Sequence, residues 1–213
     1  MVLENYYYWF KEVLTPKFCD DVIKYGNSKN KKTALVGGFE RDIEKNPLTK
    51  KELKNLQKIR KSEVIWMNDA WIYREIMPYV RKANQMAGWN FQFDMSESCQ
   101  FTNYGPGQFY GWHCDSNPHP YKRDDENNPE NGKIRKLSVT CSLTDPSKYK
   151  GGELEFNFNI PDKRKKDNIK KCIEILPRGS IVVFPSFVWH RVCPVTKGTR
   201  NSLVIWNLGW PFK

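Results

Sequence analysis

His113 and Asp115 stand two apart in a stretch that reads as a strand, so both side chains leave the same face of a sheet. An imidazole nitrogen and a carboxylate oxygen presented together are metal donors. His190, 75 residues beyond Asp115, can supply a third donor from another strand. Two imidazoles and one carboxylate occupy one face of an octahedral ion and leave three positions for a chelating cosubstrate and O2, the arrangement of non-haem Fe(II) enzymes. The remaining histidine, His119, falls in a polar loop and reads as a loop residue.

Ten residues past His190 comes Arg200, followed by Asn201 and Ser202. On a strand Arg200 and Ser202 share a face, where a guanidinium fork beside a hydroxyl matches the far carboxylate of a diacid. Set among Leu203, Val204, Ile205 and Trp206, this arginine needs a buried anion. The Lys197-Gly198 turn predicts that the strands carrying His190 and Arg200 are antiparallel neighbours. Trp112 and Trp189 read as packing residues, and Cys114, between two inward-facing neighbours, points away from the metal.

These residues need a sheet scaffold. From Trp89 onward the chain consists of short β-branched and aromatic runs separated by Gly, Pro, Asn and Asp, which predicts strands at about 89–96, 98–104, 108–115, 134–144, 152–159, 172–176, 180–184, 188–193 and 200–208. Eight or nine short antiparallel strands point to a jelly roll. The first 88 residues read as mainly helical. Thr15-Pro16 caps a short helix that stops at Gly26 and Asn27, and 46–62 has an amphipathic, Lys-rich pattern. Asp69 is placed to cap a third helix with Ile72, Ile76, Val80 and Ala83 on one face and Pro78 as a kink or break. The fold class is therefore mainly β with flanking helices (α+β), the N-terminal helices packed outside. The loop 116–132 has the length of a lid or binding loop, and 161–171 reads as a basic hairpin tip.

At 213 residues with 39% apolar and 14% aromatic content, the chain can bury a real core, although its mean hydropathy is −0.72. The net charge of +11 draws acidic partners at low salt, while runs such as 163–171 read as solvated faces. The apolar run 181–189 is broken by Pro185 and falls far short of the roughly 20 residues a membrane span needs, so no membrane association is expected. Six cysteines without a CxxC pair argue against a zinc ribbon. With no secretion signal recognisable at residues 1–10, they read as reduced thiols of a cytoplasmic protein, in a host cytoplasm if the source is viral.

Four blocks carry a resemblance: Tyr104-Gly-Pro-Gly-Gln-Phe-Tyr110-Gly-Trp-His113-Cys-Asp115; Leu137-Ser-Val-Thr-Cys-Ser-Leu; Gly151-Gly-Glu-Leu; and His190 through Arg200 to Trp206. Together they resemble Fe(II)/2-oxoglutarate-dependent dioxygenases of the prolyl 4-hydroxylase family, above all the bacterial and phage branch, over roughly residues 89–210. The resemblance implies a cupin-like double-stranded β-helix over 89–213 within one dioxygenase domain, 1–213. It implies Fe(II) on His113, Asp115 and His190, and 2-oxoglutarate with its distal carboxylate on Arg200 and with Tyr104 and Ser202 as further donors. It places Trp206, Arg135 and Tyr110 at a peptide substrate and makes 116–132 the lid. The implied reaction converts 2-oxoglutarate and O2 to succinate and CO2 while hydroxylating a prolyl residue of a peptide or protein, with ascorbate as reductant and a monomeric enzyme.

One departure stands out: Ser142 occupies the position where animal prolyl hydroxylases carry a second cosubstrate-binding tyrosine. Peptidyl lysine, a small molecule or nucleic acid are the alternative substrates. The nucleic-acid demethylating relatives carry a second arginine six residues after the first, where this chain has Trp206. A non-catalytic basic binding module is the reading from a different class, and it predicts missing ligands.

Overall fold

In the computed structural model, which describes residues 3–30, 32–34, 48–158 and 168–212, helix α1 (Pro16–Asn27) begins as the sequence requires. The Thr15 hydroxyl accepts from the Phe18 amide at 3.1 Å, and proline occupies the first turn, where its missing N–H costs nothing. Helix α2 (Lys50–Ile59) opens on a capping box, the Thr49 hydroxyl accepting from the Glu52 amide and the Glu52 carboxylate from the Thr49 amide. Helix α3 (Ala70–Met86) runs undivided through Pro78 and buries Ile72, Ile76, Val80 and Ala83. Asp69 precedes it without capping it. The carboxylate instead accepts the Tyr25 hydroxyl at 2.7 Å, tying α1 to the start of α3.

The N-terminal part also holds strands that its helical pattern does not announce: β1 (Tyr8–Phe10), β2 (Lys32–Thr33), β3 (Arg60–Lys61) and β4 (Glu63–Met67). They are short, and their partners lie far along the chain. The rest follows as β5 (Met95–Ser96), β6 (Cys99–Tyr104), β7 (Phe109–His113), β8 (Ile134–Ser142), β9 (Tyr149–Gly151), β10 (Leu154–Asn157), β11 (Ile169–Lys171), β12 (Ile181–Pro185), β13 (Trp189–Val192), β14 (Val195–Gly198) and β15 (Arg200–Gly209). The larger sheet runs β1-β12-β8-β15-β6-β4-β2, with β5 on β15; the smaller runs β11-β10-β13-β7-β3; β9 and β14 form a ribbon.

Alternation along the larger sheet divides its two faces. Ile65, Phe101, Val139, Cys141, Leu203 and Ile205 pack with Val22, Ile72, Ile76 and Val80 of the helices in the main core, so the helices do lie outside the roll. Gln100, Thr140, Ser202 and Val204 line the cavity between the sheets, and Val182 and Phe184 pack there against Leu154 and Phe156 of the smaller sheet.

Three expectations need correction. The strands of His190 and Arg200 are not neighbours: β13 lies between β10 and β7, and β15 between β8 and β6 in the other sheet. Residues 195–198 pair with β9 instead of turning back, and Gly198, at φ +73°, sits so close to the Lys148 carbonyl that a Cβ would lie 2.1 Å from it. The turn thus lifts the chain from one sheet to the other. Residues 172–176 form no strand; the strand returning to β10 is β11, while Cys172 and Ile175 fill the second core. Of 89–96 only Met95–Ser96 is extended in the sheet. Most of the basic tip 161–171 lies outside the described residues. Among the described residues no helix is long and apolar enough to cross a membrane.

Candidate functional site

Antiparallel pairing of β7 with β13 sets His113 directly opposite His190, with ring centroids 4.1 Å apart. His113 Nδ1 lies 2.8 Å from the Gly111 carbonyl oxygen and His190 Nδ1 3.0 Å from that of Val188. A carbonyl only accepts, so both Nδ1 atoms carry the proton and both Nε2 atoms present lone pairs. Asp115 follows β7, held by its amide on the Ser186 carbonyl at 2.8 Å. One carboxylate oxygen stands 3.6 Å from His113 Nε2, and the other 3.5 Å from His190 Nε2. The three donor atoms fall within 4.8 Å of one another.

The electrostatics suit a cation. Burial, aided by the neighbouring His190, pushes the His113 imidazole down to about 3, so it is neutral at physiological pH. Burial opposes ionisation of the Asp115 carboxyl, but His190, His113, Arg135 and the Ser138 hydroxyl outweigh it and hold the group at about 2. Two nitrogen lone pairs and an anionic oxygen converge, which fits a borderline divalent ion.

A second feature shares this cavity. Arg200, only 3% exposed, extends one N–H to Ser202 Oγ at 3.3 Å and lies 5.7 Å from the Tyr104 ring centre. Among the described residues no carboxylate comes within ion-pair distance of it, and a buried guanidinium without a counter-anion is an anion site. Gly152 makes room: at φ +69°, a Cβ there would lie 2.9 Å from Arg200 Cδ. The cavity between the sheets is lined by His113, Asp115, His190, Arg200, Ser202, Tyr104, Tyr110 and Trp206, so all but one of the residues that the sequence reading assigned to metal, cosubstrate or substrate meet there. The exception is Arg135, whose guanidinium lies on the Trp206 ring at 4.0 Å and pairs with Glu97. Ser142 lies opposite Ser202 on the neighbouring strand.

Ser138, Ser186 and Arg60 join the site without having stood out in the sequence. Ser138 donates to Asp115 at 2.7 Å and meets Ser186 Oγ at 2.9 Å; only its alternation with Thr140 and Ser142 along a strand hints at an inward hydroxyl. Tyr110 stacks on His113 with 3.5 Å between ring centres, and Arg60, from the N-terminal part, covers Tyr110 at 4.4 Å. The indole N–H of Trp206 is buried without a hydrogen-bond partner among the described residues. The 116–132 loop is tied down by Tyr121, whose amide and carbonyl pair with Lys133 and Gly132 and whose hydroxyl reaches Glu97 at 3.0 Å.

The model of the 2OG-Fe(II) oxygenase superfamily matches residues 99–207, just over half of the chain, a stretch that includes all three donors and Arg200. The chain belongs to this superfamily. Among bacterial relatives of this oxygenase, a PKHD-type hydroxylase of Klebsiella pneumoniae is 37% identical over 107 residues, and one of Picosynechococcus 36% over 110. These matches cover 50% and 52% of this chain, and the chain spans 41% of the length of each relative. The fold is that of solved oxygenases. A viral collagen prolyl hydroxylase of Paramecium bursaria Chlorella virus-1, solved with 2OG, superposes with TM-score 0.61 at 19% identity, covering 97% of both chains. A Pseudomonas putida prolyl-4-hydroxylase gives 0.59 at 20% identity, over 96% of this chain and 92% of its own.

Proposed function

We propose that this oxygenase hydroxylates prolyl residues of a peptide or protein, holding Fe(II) through His113, Asp115 and His190 and the distal carboxylate of 2-oxoglutarate on Arg200. The observation that carries the reading is the pairing, in one cavity, of convergent metal donors with a buried arginine that has no ion-pair partner among the described residues. The bound ion would supply the redox chemistry, in which O2 oxidatively decarboxylates 2-oxoglutarate to succinate and CO2 and one oxygen atom enters a C–H bond.

The chain's own residues bind and orient. Ser138 fixes the Asp115 carboxylate, and the Gly111 and Val188 carbonyls fix the imidazole tautomers. Arg200, with Ser202 and Tyr104 beside it, selects a diacid of matching length. Tyr110 and Trp206 give the cavity flat apolar walls against which a pyrrolidine ring packs, and the free indole N–H of Trp206 offers a donor to a peptide carbonyl. Arg135, held by Glu97 against the Trp206 ring, positions that wall. The bacterial relatives and solved structures, being PKHD-type and prolyl hydroxylases, support proline over lysine or a small molecule, and Trp206 at the position of the second arginine weighs against nucleic acid. We place the protein as a monomeric domain of a reducing cytoplasm, where its six free thiols persist and ascorbate serves as reductant.

Succinate formation from 2-oxoglutarate under air, with Fe(II) and ascorbate, tests this reading. A Pro-rich peptide is expected to stimulate it and to gain one oxygen in mass; His190→Ala abolishes turnover, and Arg200→Ala raises the 2-oxoglutarate requirement. Turnover that ignores the peptide overturns the prolyl substrate, and an active His190→Ala variant overturns the metal assignment.

A further inference from the structure

Outside the site just described, β8 carries an irregularity. Arg135 pairs with Leu208 and Leu137 with Asn207, so Lys136 is an extra residue in the ladder, a bulge that re-aims its side chain. Lys136 is 4% exposed, yet it lines a cavity of about 620 Å³ together with Phe91, Phe93, Asp94, Trp210 and Phe212. None of these residues lines the cavity of His113 and Arg200.

The Lys136 ammonium lies 3.5 Å from the centre of the Phe212 ring, and among the described residues it has no hydrogen bond and no ion pair. Asp94, the acid on the same wall, is engaged by Lys133 at 2.9 Å. A cation stripped of water without a counter-charge is costly, and an aromatic face offsets only part of that cost. Burial accordingly lowers the Lys136 pKa. The walls are aromatic, Phe91 meeting Phe212 edge-on at 4.8 Å. Aromatic rings beside a buried cation, in a cavity of this volume, are features of a small-molecule site, and Asp94, already engaged by Lys133, leaves Lys136 as the cation to be met.

We propose that this cavity is a second ligand site, which takes a monocarboxylate with an aromatic or aliphatic body. The carboxylate lies on Lys136 and the body against Phe91, Phe93, Trp210 and Phe212. A single unpaired cation selects a monoacid over a diacid such as 2-oxoglutarate. The site is independent of the prolyl reading.

Calorimetric titration of the full chain with 4-phenylbutyrate and with its neutral amide tests the proposal, each run with and without excess 2-oxoglutarate. Saturable one-site binding of the acid is expected, unchanged by 2-oxoglutarate, and weaker by about tenfold or more for the amide and for Lys136→Met, since one charge-assisted contact is lost. Lys136→Met is nearly isosteric; should it fail to fold, the comparison of acid with amide on the unaltered chain decides. Equal binding of acid and amide, displacement by 2-oxoglutarate, or no saturable binding overturns the site.

Discussion

Ser138→Ala isolates one hydrogen bond in the donor cluster. Ser138 is fully buried, its hydroxyl donates to Asp115 at 2.7 Å, and Ser186 Oγ lies 2.9 Å away, so the protons run from Ser186 to Ser138 to the carboxylate. A hydrogen bond to a charged group contributes about 1.5–3 kcal/mol. Where it orients a ligand, its loss lowers metal affinity roughly 10–100-fold, and at about 1.4 kcal/mol per decade the two ranges agree. Alanine also leaves the Ser186 hydroxyl without its acceptor, at a folding cost of about 1–3 kcal/mol. The assay is equilibrium titration of the metal-free protein with Mn(II), with denaturant unfolding in parallel. Ser202→Ala is the control, because that hydroxyl touches Arg200 and none of the three donors. Ser138→Ala should bind Mn(II) at least tenfold more weakly and Ser202→Ala normally. If Ser138→Ala loses stability but keeps Mn(II) affinity within about twofold, the hydroxyl only packs and does not orient Asp115.

Gly152→Ala forces a Cβ to 2.8 Å from Val195 Cγ2 and 2.9 Å from Arg200 Cδ at φ +69°. It should cost about 1–3 kcal/mol in denaturant unfolding and weaken 2-oxoglutarate binding, whereas Gly107→Ala, at φ +75° with open space around it, should cost only the backbone strain. Equal cosubstrate affinity in the two variants refutes the crowding of Arg200. For the metal-free protein, the His113 value of about 3 against an ordinary 6.5 means that the unfolded chain binds the extra proton between these limits. Stability should therefore be complete above pH 6.5 and fall on acidification, by up to about 1.4 kcal/mol per pH unit from this group. Asp115, held at about 2 against 3.8, adds its own loss only below pH 3.8. Unfolding midpoints measured from pH 8 to 4 should decline in the wild type and flatten in His113→Asn; parallel profiles refute the assignment.

The donors were legible because an i, i+2 pair on a strand needs nothing beyond local geometry, and β7 supplies it. Arg200 was legible because a charge inside an apolar run demands an explanation. Ser138 and Ser186 were not. A serine in a strand is chemically silent until the fold shows that its hydroxyl faces a carboxylate 23 residues away in sequence. Arg60 and β1 to β4 were hidden for another reason: strands of two to five residues leave little periodicity, and their pairing rests on partners as distant as Val183 for Tyr8. The Asp69 cap failed because a nearby tyrosine hydroxyl competed for the carboxylate.

The misplaced partnership of His190 and Arg200 shows what turn chemistry can and cannot say. Lys197-Gly198 does require a glycine at positive φ, but a turn fixes only the local direction of the chain, and the ribbon of β14 with β9 decides which sheet receives the next strand. Had the two strands been neighbours, His190 and Arg200 would share one sheet, and any ligand between them would lie against that face. Placed on facing sheets, the His113, Asp115 and His190 donors and the arginine face one cavity from opposite walls. Gly152, in the segment joining β9 to β10, gives the arginine its room. The crossover that the sequence pattern conceals is thus what brings two recognisable half-sites into one cavity.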